Sequence, residues 1–243
     1  MKTTFVIPTY NEAENIPKLV KAVLELPVSV NLIIVDDNSP DGSGDLAEQL
    51  KKDHPDRIQV LHRKGKLGLG SAYIQGFRQA MAEGADFVGQ MDADFSHPIE
   101  KIPVLMNTLE CCDFVIGSRY ISGGKLDENW PFWRKWLSGF GNFYARTILG
   151  LKIKDVTGGF RLWRKETLSA MPLERVKSNG YIFQVEMSYL ATLLGFQCKE
   201  TPIYFADRRW GQSKMSFRIQ IEAAYRTWLL LGFYQDLKNK RSI

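Results

Sequence analysis

Short apolar runs alternate with stretches of helical periodicity in the first half of the chain. The apolar runs, which predict strands, occupy residues 4–7, 32–35, 58–61, 87–91 and 114–116. The stretches between them, which predict helices, occupy residues 13–26, 44–52, 71–83 and 99–109. In the first of these, Ile16, Leu19, Val20 and Val23 recur at the spacing of one helix face. The alternation predicts an α/β fold with a doubly wound, mostly parallel sheet.

The strict alternation ends near residue 120, and a more irregular pattern follows. A glycine pair and Pro131 predict a surface loop over residues 119–131. The elements expected after this loop are an aromatic-rich helix from Phe132, a glycine-rich turn at 157–160, a helix at 184–194, a strand at 197–205 and a helix at 217–234. No linker is long enough to separate domains, so a single domain is expected over residues 1–243.

The composition is typical of a globular protein. Of the 243 residues, 44% are hydrophobic and 24% are charged, which excludes a disordered chain and a fibrous rod. Cys111, Cys112 and Cys198 are too few for a disulfide framework and predict a reducing, intracellular compartment. Neither a signal peptide nor an apolar run of the roughly 20 residues that span a membrane is visible. We therefore expect a cytoplasmic protein.

Positive charge is concentrated at the C-terminal end. The net charge is +5, but residues 208–243 hold eight basic and two acidic residues and alone carry +6. In the helix predicted there, Phe217, Ile221, Tyr225 and Trp228 form an apolar stripe. Such helices bind anionic membrane surfaces, although the stripe also suits packing on the protein's own core. The segment lacks the interleaved aromatic residues of RNA-binding motifs, so no nucleic-acid partner is expected.

Polar residues follow four of the predicted strands, at the strand ends where parallel α/β sheets bind ligands. The sharpest motif is Asp92-Ala93-Asp94, in which two carboxylates lie two positions apart after the fourth strand. Oxygen ligands at this spacing suit Mg²⁺ or Mn²⁺ carrying a diphosphate. We expect His97 to shape the following turn, because no second histidine or cysteine lies near it to complete a zinc site.

Two other segments are candidates for nucleotide binding. Asp37 ends the second strand, where an acid commonly accepts hydrogen bonds from a ribose or a base, although residues 40–42 also favour a turn there. Residues 65–71 are rich in glycine and precede a helix, but they match neither the P-loop nor the Rossmann dinucleotide fingerprint. We expect this segment, with Lys66, to be a loop near the substrate.

Eight short motifs in register resemble the family 2 glycosyltransferases of the GT-A fold. Four lie at residues 8–12, 35–42, 65–73 and 91–98. Four more, at residues 117–120, 157–161, 180–186 and 208–214, are similar to the dolichol-phosphate (polyprenol-phosphate) mannose synthases. The resemblance implies a Rossmann-like GT-A fold with C-terminal amphipathic helices. Its implied parts are a nucleotide-sugar-binding half at 1–120, an acceptor-side half at 121–214 and a membrane-peripheral helix at 215–243.

The resemblance also implies a reaction and its residues. Mannose would pass, with inversion, from GDP-mannose to a polyprenyl phosphate on the cytoplasmic face of a membrane, with a separate membrane-anchoring subunit as one means of attachment. The implied nucleotide contacts are Pro8, Tyr10, Glu12 and Asp37, and the implied donor-phosphate contacts are Arg208 and Lys214. The implied metal ligands are Asp92, Asp94 and Ser96, the last standing where some relatives have glutamine. The implied acceptor contacts are Arg119, Arg134 and Ser138. Among all of these, Asp94, Arg119, Arg134 and Arg208 are the candidate catalytic residues.

Several alternatives stay open at this point. Relatives often carry an arginine directly after the serine at position 138, whereas residues 138–142 contain none. The sugar could be glucose, as in the polyprenyl-phosphate glucose synthases, and a non-catalytic nucleotide-sugar-binding module is disfavoured because both carboxylates of the Asp92-Ala93-Asp94 motif are present. The aromatic residues Phe132, Trp136, Phe140 and Tyr144 suit either a core or a lipid contact.

Overall fold

The computed structural model describes residues 1–207 and 217–240 of the chain. The strands are β1 (Thr3–Thr9), β2 (Asn31–Asp36), β3 (Ile58–His62), β4 (Phe87–Gln90), β5 (Phe114–Ser118), β6 (Lys125–Leu126), β7 (Arg161–Arg164), β8 (Cys198–Pro202) and β9 (Tyr204–Phe205). The helices are α1 (Ile16–Leu24), α2 (Ser43–Asp53), α3 (Leu69–Ala82), α4 (Ile102–Leu109), α5 (Phe132–Ile148), α6 (Lys165–Ala170), α7 (Tyr181–Leu193), α8 (Phe217–Phe233) and α9 (Gln235–Lys240).

The main sheet has seven strands in the order β3-β2-β1-β4-β7-β5-β8. Its strands run parallel except for β7, which is antiparallel to β4 and to β5. The predicted doubly wound, mostly parallel sheet is therefore confirmed. The sequence pattern does not predict β7, because this four-residue strand begins and ends with an arginine and so lacks an apolar run.

The strand expected over residues 197–205 is divided in two. β8 ends at Pro202, which cannot donate a further ladder hydrogen bond, and Ile203 separates it from β9. β9 pairs with β6, which lies inside the loop expected over residues 119–131. The division carries the chain from the main sheet to a second, two-stranded sheet formed by β6 and β9.

Apolar side chains pack on both faces of the main sheet. Alternate residues of β1 point to opposite faces, so that Phe5 and Ile7 pack with α1 and α4, whereas Val6 packs with α3. Burial on both faces explains why the strands read as continuous apolar runs in the sequence. This packing holds the strands in place, and the predicted site residues follow the strands at their carboxyl ends.

Helices α5 and α8 lie together at the outside of the second half. α8 contacts both α5 and α7, and Trp228 Nε1 donates a hydrogen bond to Tyr144 Oη at 2.8 Å. Leu230 and Tyr234 are buried and attach the C-terminal end of α8 to the core. No helix in the described ranges is both long and apolar enough to cross a bilayer.

Candidate active site

The carboxyl ends of three strands meet at the centre of the main sheet. β1 lies between β2 and β4, at the position where the order of the strands changes direction and open α/β sheets form a ligand crevice. Pro8 lies near the end of β1, opposite Val35. The predicted site residues that follow these three strands are Tyr10, Glu12, Asp37, Asp92 and Asp94. We call this group, with Pro8, the donor edge.

Asp37 is held at the donor edge by a buried ion pair. Arg63 Nη1 donates to Asp37 Oδ1, and the exposed fractions of the two side chains are 4% and 9%. The same guanidinium donates to Gly68 O at 3.2 Å and to Ser71 Oγ at 2.5 Å. Arg63 thus joins the end of β2 to the start of α3. Sequence reasoning missed it, although its place directly after β3 is a strand-end signal like the others.

The glycine-rich loop contacts the residue that directly follows β1. Lys66 Nζ is 4.2 Å from the centre of the Tyr10 ring, in a cation–π arrangement. Glu12 faces its own helix start, where its carboxylate accepts a hydrogen bond from Asn15 Nδ2 at 2.6 Å. Its backbone amide donates to Ser43 Oγ at 2.9 Å. Glu12 therefore also joins α1 to α2.

The Asp92-Ala93-Asp94 motif forms a tight turn directly after β4. Tyr73 Oη donates to Asp92 Oδ1 at 3.2 Å, and the Ser96 amide donates to Asp94 Oδ1 at 3.1 Å. Phe95 adopts a left-handed backbone conformation with φ of 60°, which an aromatic residue rarely does. The turn thus holds both carboxylates by hydrogen bonds, at the expense of local backbone strain.

His97 lies at the end of this turn, and its ring is held by a hydrogen bond. Its Nδ1 accepts a hydrogen bond from the Asp92 amide at 3.0 Å, which places the proton of the neutral ring on Nε2. Burial lowers the pKa of His97, against the opposing effect of the aspartates nearby. The expectation that His97 shapes the turn is confirmed by this contact.

The donor set of the turn fits a hard divalent cation that arrives with a diphosphate. Asp92 and Asp94 offer carboxylate oxygens, and the buried Ser96 Oγ makes no hydrogen bond within the described residues. In the same ranges no group of three or more histidine, cysteine, aspartate or glutamate side chains is arranged to hold a metal ion. Mg²⁺ and Mn²⁺ commonly take their remaining ligands from water and substrate phosphates, which suits a site with few protein ligands.

Arg119 is fixed by an almost fully buried carboxylate. Its Nε and Nη2 donate to the two oxygens of Asp155 at 2.7 and 2.6 Å, and Nη2 also donates to Thr157 Oγ1 at 2.7 Å. Burial raises and the ion pair lowers the pKa of Asp155, with a net downward shift. Nη1 of Arg119 makes no hydrogen bond in the part of the chain that the structure describes. Asp155 was not identified from the sequence, because it lies 36 positions from its partner.

The other predicted acceptor residues lie close to Arg119. Ser138 Oγ is 2.7 Å from the hydroxyl of Tyr120, the residue directly after Arg119. Arg134 stacks on the Trp130 ring at 3.7 Å and donates to Asp207 Oδ1 at 3.2 Å. Arg119 and Trp130 both contact the ring of Phe205, which therefore connects the two arginines.

Phe205 also contacts the turn that follows β4. Its ring meets the His97 ring edge-on, with 5.5 Å between the ring centres. Phe205 thus lies between His97 and Arg119, and it reaches Arg134 through Trp130. Sequence reasoning missed this residue because β9 has only two residues. Arg208 and Lys214, the predicted donor-phosphate residues, lie outside the described residues.

An exposed apolar surface borders the predicted acceptor residues Arg134 and Ser138 of α5. At 3.6 residues per turn the exposed aromatic residues of α5 fall within an arc of about 100°. Further apolar residues are exposed on α8, which packs against α5. We call the following set the aromatic face: Phe132, Trp133, Trp136, Phe140 and Phe143 of α5, and Tyr225, Trp228 and Leu229 of α8.

The alternative that α5 buries its aromatic stripe in the core is wrong for most of the stripe. Phe132, Trp136 and Phe140 are 82%, 59% and 48% exposed, whereas Tyr144 packs against α8. Tyr225 and Trp228 of the C-terminal stripe are also exposed, and the side chains of Phe217 and Ile221 lie outside the described residues. α8 is held to the core by a different set of residues, which includes Leu230.

Two curated relatives are similar to the chain over most of its length. The chain is 42% identical over 240 residues to an undecaprenyl-phosphate mannosyltransferase of Micrococcus luteus, with 98% of each chain covered. It is 44% identical over 216 residues to a polyprenol monophosphomannose synthase of Mycolicibacterium smegmatis, covering 88% of this chain and 81% of that protein.

Solved structures share the fold at low sequence identity. A mannosyltransferase of Pyrobaculum calidifontis in complex with GDP-mannose and Mn²⁺ matches with a TM-score of 0.64 at 15% identity, covering 98% of this chain and 68% of that chain. Glucosyl-3-phosphoglycerate synthase of Mycobacterium tuberculosis with Mn²⁺ and UDP-glucose matches with a TM-score of 0.62 at 16% identity, covering 96% and 79%. The predicted GT-A fold is confirmed. Because residues 4–171 also match the defining pattern of glycosyl transferase family 2, the chain belongs to that family.

Proposed function

We propose that this glycosyltransferase moves mannose from GDP-mannose to a polyprenyl monophosphate and forms a polyprenyl-phosphate β-mannose. The observation that carries the proposal is the joining of the Asp92–Asp94 turn to the Arg119–Asp155 pair through His97 and Phe205. The names of the two relatives support the lipid phosphate and the sugar. GDP-mannose in the Pyrobaculum structure supports the donor.

In this proposal the donor edge binds the nucleotide sugar. Pro8, Tyr10, Glu12 and Asp37 contact the nucleoside, with Lys66 closing over Tyr10. The implied parts of the domain follow, with donor binding by residues 1–120, acceptor binding by 121–214 and membrane contact by 215–243. Arg208 and Lys214 contact the donor phosphates.

Asp92 and Asp94 would hold Mg²⁺ or Mn²⁺, with the Ser96 hydroxyl as a further oxygen ligand. When bound, the cation stabilises negative charge on the departing diphosphate. The protein's own contribution is to fix both carboxylates before the substrate arrives, through the hydrogen bonds from Tyr73 and from the Ser96 amide.

The acceptor needs no base to activate it. A phosphate monoester is ionised at neutral pH, so one of its oxygens can bond to the anomeric carbon while the bond from that carbon to the diphosphate breaks. GDP leaves, and the configuration at the anomeric carbon inverts. His97 is unsuited to remove a proton, because it is buried and its Nδ1 is already bonded.

Arg119 and Arg134 offset the repulsion between the incoming phosphate and the leaving diphosphate. Asp155 orients Arg119 and leaves Nη1 available to the acceptor. Both arginines are paired with a carboxylate, Arg119 with the buried Asp155 and Arg134 with the partly exposed Asp207, so they act on the acceptor phosphate as oriented hydrogen-bond donors. Ser138 is a further hydrogen-bond partner. Planar guanidinium groups suit phosphate recognition.

The aromatic face is proposed to lie in the headgroup region of a membrane, on its cytoplasmic side. Two observations support a lipid surface, where the proposed acceptor would reside, as the partner. Helix α5 also carries Arg134 and Ser138, and the basic excess lies in residues 208–243. Exposed apolar patches of this kind mark interaction sites, and basic residues nearby add attraction to anionic lipid. A separate membrane-anchoring subunit would cover the same surface.

Product analysis with two donors and two acceptors tests the proposal. Radiolabelled GDP-mannose or UDP-glucose is incubated with a short polyprenyl phosphate or the matching polyprenol, with Mn²⁺ or EDTA. A labelled lipid phosphate is expected only in the reaction that contains GDP-mannose, the polyprenyl phosphate and Mn²⁺. Efficient use of UDP-glucose would reassign the sugar, and transfer to the polyprenol would contradict phosphate as the nucleophile.

A further inference from the structure

We propose that Tyr73 and His97 are positioning residues that hold Asp92 from two sides, one at its carboxylate and one at its backbone amide. The inference rests on the proposed role of Asp92 as a metal ligand and adds two residues that touch neither the metal nor the substrate. The sequence predicted only that His97 shapes the turn, and it did not identify Tyr73 as a candidate for the site.

Tyr73 fixes the carboxylate. Its side chain is fully buried in α3, and its ring stacks on Phe183 with an interplanar angle of 5° and 5.7 Å between ring centres. Phe77 contacts the same ring at 5.8 Å. A ring packed on two others has little freedom to move, so the hydroxyl that donates to Asp92 Oδ1 at 3.2 Å keeps its position.

His97 fixes the backbone. Its Nδ1 accepts from the Asp92 amide, and its ring stacks on Phe160 with 5.3 Å between the ring centres. Gly159 leaves space for this ring, since a side chain carbon there would lie 3.3 Å from His97 Cε1. A residue larger than glycine at position 159 would therefore crowd the histidine ring and require it to shift slightly.

The two contacts act on the same residue in different ways. The hydrogen bond from Tyr73 selects the rotamer of the Asp92 carboxylate, whereas the bond to His97 sets where the main chain leaves β4. Partners of metal ligands orient those ligands, and their loss commonly weakens metal binding by roughly 10- to 100-fold. We therefore expect both residues to affect metal affinity more than nucleotide affinity.

Three variants separate hydrogen bonding from packing. Tyr73→Phe removes the hydroxyl and keeps the stacked ring. His97→Phe keeps a ring against Phe160 and removes the acceptor. His97→Asn removes the ring and keeps a hydrogen-bond acceptor, because the asparagine side-chain oxygen can occupy the position of Nδ1. Mn²⁺ binding in the presence of GDP is followed by electron paramagnetic resonance, and GDP binding without metal is followed by calorimetry.

Tyr73→Phe and His97→Phe should each weaken Mn²⁺ binding by about tenfold or more, with GDP binding in the absence of metal unchanged. His97→Asn should stay closer to the wild type than His97→Phe. The proposal is overturned if His97→Phe binds Mn²⁺ normally, or if all three variants lose GDP and Mn²⁺ binding together.

Asp92→Asn distinguishes this proposal from the proposed metal site. If Asp92→Asn weakens Mn²⁺ binding and the positioning variants do not, the positioning role is wrong and the metal site stands. If Asp92→Asn has no effect on Mn²⁺ binding, the metal site itself is wrong and the inference fails with it.

Discussion

The donor edge and the aromatic face depart from the usual distribution of polar and apolar residues in opposite directions. At the donor edge, charged groups are buried and held by partners, as Asp37 is by Arg63. On the aromatic face, large apolar side chains such as Trp133 and Trp136 are exposed. Buried charge and exposed apolar surface both cost stability, so each marks a place where a ligand is expected. In the proposed function the donor edge binds a charged nucleotide sugar, whereas the aromatic face contacts a lipid surface.

The largest effect is expected at the donor edge. Asp94→Ala should reduce mannosyl transfer by about 100-fold or more, because it removes a group that stabilises developing charge through the cation. Transfer is measured with radiolabelled GDP-mannose, and folding by circular dichroism. Asp56→Ala, an exposed aspartate before β3, is the matched control and should keep full activity. Full activity of Asp94→Ala, or of the wild type in EDTA, would contradict a metal at this turn.

Substitution of the two proposed acceptor arginines should affect the free energy of unfolding to different extents. Arg119→Ala leaves the buried Asp155 without its partner and should lower the free energy of unfolding by about 3–5 kcal/mol. Arg134→Ala breaks a partly exposed pair with Asp207 and should cost at most about 1 kcal/mol. Urea unfolding measures both variants. Equal losses would show that Arg119 is not the structural member of the pair.

Acceptor titration completes this comparison. Arg134→Ala should raise the concentration of polyprenyl phosphate needed for half-maximal rate and leave GDP binding unchanged. The reverse pattern would assign Arg134 to the donor phosphates.

The Arg119–Asp155 pair should also appear in the acid dependence of stability. The pKa of Asp155 is lowered in the folded protein, so its contribution is complete above the unfolded value of about 3.9 and is lost as pH falls through the lower folded pKa. Asp155→Asn removes this titration. Its free energy of unfolding should fall less steeply than that of the wild type below about pH 4. If the free energies of unfolding of the wild type and of Asp155→Asn, measured with urea, fall equally steeply below about pH 4, the Arg119–Asp155 pair does not cause the acid dependence.

The aromatic face should give the smallest effect on the fold and a clear one on membrane binding. Trp133→Ala with Trp136→Ala should weaken sedimentation with anionic vesicles at low salt. The free energy of unfolding should change by less than about 1 kcal/mol, because both side chains are exposed. Val104→Ala, an exposed apolar residue of α4, is the control.

The wild type should leave the vesicles at high salt, since part of the attraction is electrostatic. If neither the tryptophan substitutions nor the lipid charge changes vesicle binding, the aromatic face does not form the membrane contact. Lipid delivery would then depend on an anchoring subunit.

Much of the donor edge was predictable from the sequence because it follows local rules. Apolar runs give strands, and polar residues directly after them fall at one edge of a parallel sheet, which places Asp37 and Asp92 correctly. The partners of these residues were not predictable. Tyr73 lies 19 positions from Asp92 and Arg63 lies 26 from Asp37, and periodicity contains no information on such pairings.

The acceptor side was less predictable because its elements are short or break the usual pattern. β7 carries two arginines and β9 has two residues, so neither shows strand periodicity. The aromatic stripe of α5 has the spacing of a core-facing helix, and spacing cannot tell whether the protein or a lipid covers it. The solvent exposure of Trp136 in the fold resolves that question against the core.

The measurement that tests the central claim most directly is the structure of the product formed from carbon-13-labelled GDP-mannose and a short polyprenyl phosphate. Nuclear magnetic resonance of the purified lipid should show mannose joined through its anomeric carbon to the phosphate, in the β configuration, as direct attack by the acceptor phosphate requires. An α-linked product would contradict single inversion at this site. Free mannose with no labelled lipid would contradict the acceptor assignment itself.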